Sequence, residues 1–371
     1  MKQLLLMCLL LFSFFGCTQQ KRVHLSGKVV KIGVLAPLSR ENKRYGYQSL
    51  LGLEFANKHK TVLANGDEIV LEIVDTNSSS QGTQKALQSL LDKNVTAIIS
   101  FVGSGNMLAL KNMLHKTDTP MIVTLATNDE ITTLNDSISQ ICMSNQREAL
   151  VAAHYIKDEK FINNVGILYY KENPYSFALT RQFRDYYTKI HGKELFCLDF
   201  SRRNALQKLQ SKDLKNVKMI FSVLNAKESV KVLKILQNSD TKLLFSDGAL
   251  SSAKEMLKDD LHYFEGSYII EHYAHDMRGT KDYKSLQCFL SNKNLQDSSY
   301  AFLAYDAYAL LYYTLQNCSG YKRECINALF QNSDIIEGIA GNFSMENAKA
   351  KRKIYIDKIE NLRLKREIVT Y

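Results

Sequence analysis

Residues 29–58 read VVKIGVLAPLSRENKRYGYQSLLGLEFANK. The first part, residues 29–35, is an almost continuous apolar run, which is typical of a strand buried on both faces. Between residues 45 and 58 the apolar side chains recur at the spacing of one helical face, at Leu50, Leu51, Phe55 and Ala56. The stretch therefore predicts a buried strand followed by an amphipathic helix, which is the repeating unit of an α/β fold.

The same alternation continues along the chain in two series. In the first series we predict strands at 29–35, 68–74, 95–101 and 120–125 and helices at 45–58, 81–92 and 107–116. In the second we predict helices at 148–156, 176–190 and 227–236 and strands at 165–170, 194–198, 219–223 and 242–245. Buried strands separated by helices form doubly wound parallel sheets. Two series predict two such sheets, and therefore two lobes.

The remaining elements predict how the chain is shared between the lobes. A helix at 300–316 follows the second series and is expected to return to the first lobe, while 353–356 and 367–370 alternate like edge strands. We therefore assign 28–147 and 275–340 to lobe 1, and 148–274 and 341–371 to lobe 2. This division requires the chain to cross between the lobes three times.

The N-terminus has the pattern of an export signal. Lys2 precedes an apolar run from Leu4 to Phe15, and small Gly16 then precedes Cys17. The run is shorter than the roughly 20 residues needed to span a bilayer as a helix. Residues 1–16 are predicted to be a signal peptide and 17–27 a linker.

Gly16-Cys17 resembles the bacterial lipobox, in which the cysteine is lipidated and becomes the mature N-terminus. The resemblance implies a membrane anchor at Cys17 and a periplasmic or cell-surface location. Phe14 and Phe15 depart from the usual lipobox residues, so secretion without a lipid is the alternative.

Export places the cysteines where disulfides persist. Cys318 and Cys325 flank the turn-like segment Ser319-Gly320-Tyr321, so they are predicted to form a short disulfide, two buried thiols being the alternative. The formal charge of +10 arises from Lys and Arg dispersed among acidic residues, which argues against a nucleic-acid partner.

Polar residues follow several predicted strands. Ser104 follows 95–101, Ala126-Thr127 follows 120–125, and Asp247 follows 242–245. Because ligands of open parallel sheets bind beyond the carboxyl ends of the strands, these residues are expected to converge. Hydroxyl and backbone N–H groups suit a carboxylate, and an aspartate suits an ammonium group. The pattern predicts a cleft for a small zwitterion.

These segments resemble the type I periplasmic solute-binding proteins, and specifically the branched-chain amino-acid receptors of ABC importers. The matching segments keep the family order over almost the whole chain after the leader: Ile32-Gly33-Val34-Leu35, Tyr45-Gly46, Met121-Ile122, Ala126-Thr127-Asn128, Tyr175, Phe245-Ser246-Asp247-Gly248, Glu265-Gly266 and Tyr305-Asp306-Ala307. The resemblance implies the two-lobed type I fold and an ABC permease as partner.

The resemblance also implies a role for each site residue. Ser104 and the Thr127 N–H would hold the ligand carboxylate. The Ala126 carbonyl, the Thr127 hydroxyl and Asp247 would hold the ammonium group. Tyr45 and Tyr175 would close over the ligand from opposite lobes, and Asn225 would line the side-chain pocket. Gly105 stands where the family has a second hydroxyl residue, and Asp247 stands where branched-chain receptors have the longer Glu.

The resulting expectation is a monomeric receptor that binds an amino acid, a related amide or a short peptide, with no cofactor. The alternative is an envelope regulatory lipoprotein that uses the same fold as a sensor or a protein-interaction module. Motifs for an activated nucleophile, a zinc protease helix or a phosphate loop are missing, so an enzyme is not expected. Glu271, His272 and His275 could suggest a metal, but a structural role is favoured and no metal is expected.

Overall fold

The computed structural model describes residues 27–247, 260–273, 281–295, 298–339 and 341–370. The predicted signal peptide, Cys17, Gly248 and His275 lie outside this part of the chain. The described residues form two sheets of seven strands each, with helices on both faces, which is the two-lobed arrangement expected from the two series of elements.

The first sheet has the strand order β11-β12-β5-β4-β3-β1-β2. Five of its strands come from the first part of the chain: β1 (Val29–Ala36), β2 (Glu68–Asp75), β3 (Ala97–Ser100), β4 (Met121–Val123) and β5 (Ile138–Gln140). These five are parallel. The edge is completed by β11 (Ser344–Glu346) and β12 (Lys349–Lys351), which are antiparallel to each other.

The second sheet has the order β14-β13-β10-β9-β8-β6-β7. Its parallel part consists of β6 (Asn164–Tyr169), β7 (Lys193–Asp199), β8 (Met219–Ser222), β9 (Lys242–Phe245) and β10 (Tyr268–Glu271). The chain ends in an antiparallel hairpin of β13 (Ile354–Glu360) and β14 (Arg363–Thr370), and β13 pairs with β10.

Helices cover both sheets. The first lobe carries α1 (Lys43–His59), α2 (Ser80–Asp92), α3 (Ser104–Leu108), α4 (Lys111–Leu114), α9 (Lys281–Ser291), α10 (Ser299–Asn317) and α11 (Arg323–Gln331). The second carries α5 (Asn145–His154), which continues as a π-helical turn (Tyr155–Glu159), and α6 (Pro174–Lys189), α7 (Ala205–Gln210) and α8 (Ala226–Leu236). Short 3-10 turns occupy Asp129–Thr133, Leu261–Phe264 and Ser319–Tyr321. The single helix predicted at 107–116 is instead the two short helices α3 and α4.

The late helix α10 packs on the first lobe, against α1. At the contact, a Cβ on Gly52 would stand 2.0 Å from the Ala301 carbonyl oxygen, so glycine lets the two helix backbones approach. Phe302, Tyr308 and Leu311 of α10 join the core above β1. This packing makes the first lobe discontinuous in sequence.

The chain passes from lobe 1 to lobe 2 for the third time later than the predicted boundary at residue 341. Strands β11 and β12 extend the first sheet, so the chain leaves that lobe only at Arg352-Lys353. Arg352 is buried and its Nη2 donates to the Asp306 carboxylate of α10, which fixes the crossing against lobe 1. Strands of three residues are too short to show a periodicity, and the sequence pattern therefore placed the boundary too early.

The described helices include none with both the length and the apolar character needed to cross a bilayer. Cys318 and Cys325 form a disulfide, with their sulfur atoms 2.04 Å apart, between the end of α10 and the start of α11.

Candidate ligand-binding cleft

A cleft of about 830 Å³ lies between the carboxyl ends of the two parallel sheets. Six of the seven residues predicted to contact a ligand line it. Lobe 1 contributes Tyr45, Ser104 and Thr127, and lobe 2 contributes Tyr175, Asn225 and Asp247. Ligands of open parallel sheets bind beyond the carboxyl ends of the strands, which we call the strand-end rule. The residues predicted with this rule line one cleft, although some of the lining side chains are more than 200 residues apart in the sequence.

Lobe 1 presents neutral hydroxyl groups to the cleft. Ser104 begins α3, and its Oγ accepts a hydrogen bond of 3.3 Å from the Asn128 N–H. Thr127 is 3% exposed, and its Oγ1 has no hydrogen-bond partner among the described residues. Because a buried hydroxyl without a partner costs free energy, Thr127 Oγ1 is suited to a polar group that enters the cleft.

Tyr45 is half-buried at the start of α1 and packs against Tyr300 of α10, with ring centroids 5.0 Å apart. Tyr300 also lines the cleft. The two rings form an aromatic wall on the lobe 1 side, and sequence reasoning identified only one of them.

Ala126 is the exception among the predicted contacts, because it is fully buried and lies outside the set of residues that line the cleft. Its carbonyl accepts a 2.6 Å hydrogen bond from the Gln140 side chain, and Cys142 Sγ approaches it to 3.5 Å. Gln140 ends β5, the neighbouring strand, so its amide reaches the turn after β4. The carbonyl predicted to face the ligand is thus engaged within lobe 1.

Two lobe 2 carboxylates line the cleft, the exposed Glu172 and Asp247, which lies two residues after β9. The Tyr175 hydroxyl donates to its Oδ1 at 2.6 Å, and His272 Nε2 donates to its Oδ2 at 2.9 Å. Burial raises the pKa of Asp247, but the hydrogen bonds from His272 and Tyr175 outweigh this effect and leave the pKa below its usual value. Asp247 is therefore an anion that is already held in place on two sides.

Glu148 of α5 lies behind Asp247 and is fully buried. Its Oε1 accepts a 2.7 Å hydrogen bond from the Asp247 N–H. Burial, followed by the negative charge of Asp247, raises the pKa of Glu148 well above its usual value. Two carboxyl groups therefore face each other, and Glu148 is the one that keeps its proton, so the pair carries a single negative charge.

The other two lobe 2 residues are also engaged. Burial, then the charges of Asp247 and Glu148, raise the pKa of Tyr175 well above its usual value, which keeps its hydroxyl a donor. Asn225 caps α8 by accepting from the Glu228 N–H at 2.9 Å, and its Nδ2 donates to the Tyr170 hydroxyl at 2.8 Å. Asn225 thus lines the cleft while it fixes Tyr170 beside it.

The two lobes meet across the cleft. Asn128 Nδ2 of lobe 1 donates to the Pro174 carbonyl of lobe 2 at 3.4 Å, and Gln182 Nε2 of lobe 2 donates to the Asp129 carboxylate of lobe 1 at 3.0 Å. A Cβ on Gly105 would stand 3.7 Å from the Pro174 ring. These contacts join the two lobes directly beside the cleft.

Sequence reasoning missed His272 and Glu148 as members of the site. His272 directly follows β10, so the strand-end rule would have found it had that four-residue strand been predicted. Glu148 carries no local signal, because its role depends on α5 lying behind the end of β9. The described residues contain no cluster of three metal-binding side chains, and the imidazole of His272 is hydrogen-bonded to Asp247 and to the Met143 N–H.

The comparison with protein families agrees with this geometry. The profile of the family described as "Periplasmic binding protein" matches residues 29–362. The chain belongs to the periplasmic binding protein family. A search of curated proteins found no match. Membership in a family of binding proteins agrees with the expectation of a binding function without enzymatic chemistry.

Solved structures share the fold over nearly the whole chain. The leucine-binding protein LivK of Thermotoga maritima is 22% identical, with a TM-score of 0.80, and the match covers 92% of this chain and 98% of LivK. A solute-binding protein of an ABC transporter from Rhodopseudomonas palustris, in complex with 3,4-dihydroxybenzoic acid, is 17% identical, with a TM-score of 0.79 and coverage of 92% and 97%.

LivJ of Streptococcus pneumoniae, in complex with isoleucine, is also 17% identical, with a TM-score of 0.75 and coverage of 92% and 99%. At these identities the likeness shows the type I fold of periplasmic binding proteins, while the bound molecules are properties of the other proteins.

Proposed function

We propose that this periplasmic binding protein captures an amino acid, or a related small zwitterion, in the cleft between its lobes and delivers it to an ABC importer. The observation that supports this most strongly is the pairing of groups across the cleft. A hydrogen-bonded carboxylate, Asp247, lines it from lobe 2, and Thr127, whose buried Oγ1 has no partner among the described residues, lines it from lobe 1.

Asp247 would bind the ligand ammonium group. Each of its oxygens already accepts one hydrogen bond, and a carboxylate oxygen can accept a second. Ser104 and the Thr127 N–H would bind the ligand carboxylate, since they offer donors without a charge, and the Thr127 hydroxyl would assist Asp247 in binding the ammonium group. Within the described parts of the chain, the lining contains neither Lys nor Arg, so a zwitterion would find its cation matched by a charge and its anion matched by neutral donors.

An aromatic acid is the main competing ligand class, because solute-binding proteins of similar fold hold hydroxybenzoates. Such a molecule carries a carboxylate and no ammonium group. It would leave Asp247 as an uncompensated anion in a closed cleft beside a second anion, which is unfavourable in a low-dielectric site. The charge balance of the cleft therefore favours the amino acid.

A thermal-shift panel tests this proposal. We would heat the purified chain with each of the twenty amino acids, with asparagine and glutamine as the amide-bearing members, and with 4-hydroxybenzoate and 3,4-dihydroxybenzoate as anions without an ammonium group. An amino acid at about 100 times its dissociation constant should stabilise the protein by about 2.7 kcal/mol. Stabilisation by the hydroxybenzoates alone would refute the zwitterion assignment.

The export and anchor form a separate part of the proposal. We infer that lipid on Cys17 tethers the protein to the membrane, outside both lobes. Cys17→Ser should therefore move the protein from the membrane fraction to the soluble fraction while it keeps the same thermal shifts in the panel. Retention of Cys17→Ser in the membrane fraction would show that another segment provides the tether.

A further inference from the structure

His272 connects the cleft to two of the segments that cross between the lobes. It lies directly after β10, where the chain leaves lobe 2, and is 4% exposed. Its Nε2 meets Asp247 Oδ2 at 2.9 Å, and its Nδ1 meets the Met143 backbone N at 3.3 Å. Met143 lies in the first crossing, between β5 and α5. One imidazole ring therefore bridges the ligand-facing carboxylate and a neighbouring crossing segment.

The two partners determine the protonation state of this ring. The Met143 N–H is a donor, so Nδ1 must present a lone pair to it. Asp247 is an acceptor, so Nε2 must carry the hydrogen. The arrangement thus requires the neutral Nε2–H tautomer. A second proton on Nδ1 would place two N–H groups against each other and break the bond to the first crossing.

Several other titratable groups lie next to His272 or to its partners Asp247 and Met143. Tyr175 of α6 and Glu148 of α5 contact Asp247, Cys142 lies next to Met143, and Glu271 precedes the histidine in β10. Burial raises the pKa of Tyr175, Glu148 and Cys142, which keeps these three uncharged. Asp247 is the carboxylate that the imidazole contacts and that a ligand ammonium group would contact.

We propose that His272 is a positioning residue for ligand binding, which in its neutral form holds the Asp247 carboxylate toward the cleft and ties it to the first crossing at Met143. This inference rests on the proposed function. A ligand ammonium group at Asp247 adds a positive charge beside the ring, so the bound, closed state favours neutral His272. Protonation of His272 competes with the ligand for Asp247 and removes the Met143 bond, and acid therefore weakens binding.

Nitrogen-15 spectra of the imidazole side chains test the ring itself without a ligand. The signal that disappears in His272→Gln should show the neutral Nε2–H tautomer in the wild-type protein at pH 8. An imidazolium or an Nδ1–H tautomer at that pH would overturn the proposal. This measurement does not depend on finding an amino acid that binds, so it separates a failure of this inference from a failure of the proposed function.

Calorimetric titration at several pH values from pH 8 to pH 5 tests whether protonation of His272 weakens ligand binding. The probe is the amino acid that gives the largest thermal shift in the panel. Wild-type affinity should fall by at least about tenfold over this range. A glutamine side chain offers amide N–H donors and one carbonyl and cannot take up a proton in this range. His272→Gln should therefore bind more weakly than wild type at pH 8, since one side chain replaces both imidazole contacts, and should lose the pH dependence. His272→Ala should bind more weakly throughout.

His154→Gln is the matched control, because this histidine lies in α5 of the same lobe with its side chain 51% exposed. It should retain the wild-type pH profile. A His272→Gln variant that weakens in acid as the wild type does would overturn the positioning role, as would a wild-type affinity that is constant between pH 5 and pH 8.

Discussion

The two sides of the cleft are built in opposite ways. On lobe 2, Asp247 is charged and is already fixed by hydrogen bonds from Tyr175 and His272. On lobe 1, Thr127 Oγ1 and Thr76 Oγ1 are neutral, buried and without partners among the described residues. The charged group is thus preorganised by hydrogen bonds before a ligand binds, whereas the neutral hydroxyl groups are still able to form hydrogen bonds. This difference suggests that lobe 2 provides most of the binding energy and that lobe 1 completes the site on closure.

The largest expected effect is at Asp247. Asp247→Asn should weaken binding of the amino acid found in the panel by about 2 to 5 kcal/mol, or roughly 30-fold to several thousand-fold. The amide keeps much of the hydrogen-bond geometry but loses the charge that offsets desolvation of the ligand ammonium group. Calorimetric titration measures the effect, and circular dichroism controls for the fold. Unchanged affinity would show that the ammonium group binds elsewhere.

The second prediction tests whether hydrogen bonds in lobe 2 preorganise Asp247 before a ligand binds. Tyr175→Phe removes the hydroxyl that donates to Asp247 Oδ1 and leaves the ring in the cleft wall. Since a hydrogen bond to a charged group contributes about 1.5 to 3 kcal/mol, affinity should fall by an amount in that range. Tyr170→Phe, which loses a contact to Asn225 and none to Asp247, is the matched control and should bind more nearly as the wild type does. Equal losses in both variants would contradict the special role of Tyr175.

The strand-end positions of this site could be read from the sequence, because Ser104, Thr127 and Asp247 each follow an apolar run that the sequence predicts as a strand. The other two site residues, His272 and Glu148, could not be identified from the sequence because only the folded structure brings them to Asp247. His272 follows a strand of four residues, and Glu148 reaches Asp247 across 99 positions of sequence. The Ala126 carbonyl, in contrast, was predicted to contact the ligand and is bonded within lobe 1. Its hydrogen bond to Gln140 depends on β5, a strand of three residues that was not predicted. Strand length does not separate the two cases, because β3, β4 and β9 are as short as β10 and β5. What the sequence could not show is which side chains of other elements the fold brings to these positions.

A smaller effect is expected on lobe 1. Thr127→Ala removes only the hydroxyl and leaves the backbone N–H, so binding should weaken by about 1 kcal/mol, less than in either lobe 2 variant. Thr127→Ser keeps the hydroxyl and should remain close to wild type. Small-angle scattering should also show a shift toward the open form for Thr127→Ala with the amino acid present. A loss at Thr127 that exceeds the loss at Asp247 would invert the comparison of the two lobes.

The smallest effect on binding is expected for a substitution of Glu148. This substitution should instead change how the free energy of unfolding depends on pH. Because Glu148 has a raised pKa in the folded protein, its contribution to stability is fully present below its ordinary pKa of 4.5 and is lost as pH rises through the folded value. Each pH unit in which the folded chain keeps this proton and the unfolded chain has lost it costs about 1.4 kcal/mol. Asp247, with a lowered pKa, acts in the opposite direction and only below its ordinary value of 3.8, outside the range from pH 5 to pH 8.

Glu148→Gln replaces the protonated acid with a neutral group of the same shape, and its carbonyl can still accept from the Asp247 N–H. Urea unfolding between pH 5 and pH 8 should therefore show that the variant gains stability relative to wild type as pH rises, while its affinity at pH 7 changes little. Glu159→Gln, at an exposed position in the π-helical turn that follows α5, is the control and should follow the wild-type curve. If Glu148→Gln runs parallel to wild type over this range, Glu148 is ionised in the folded protein, and the Asp247–Glu148 pair carries two negative charges instead of one.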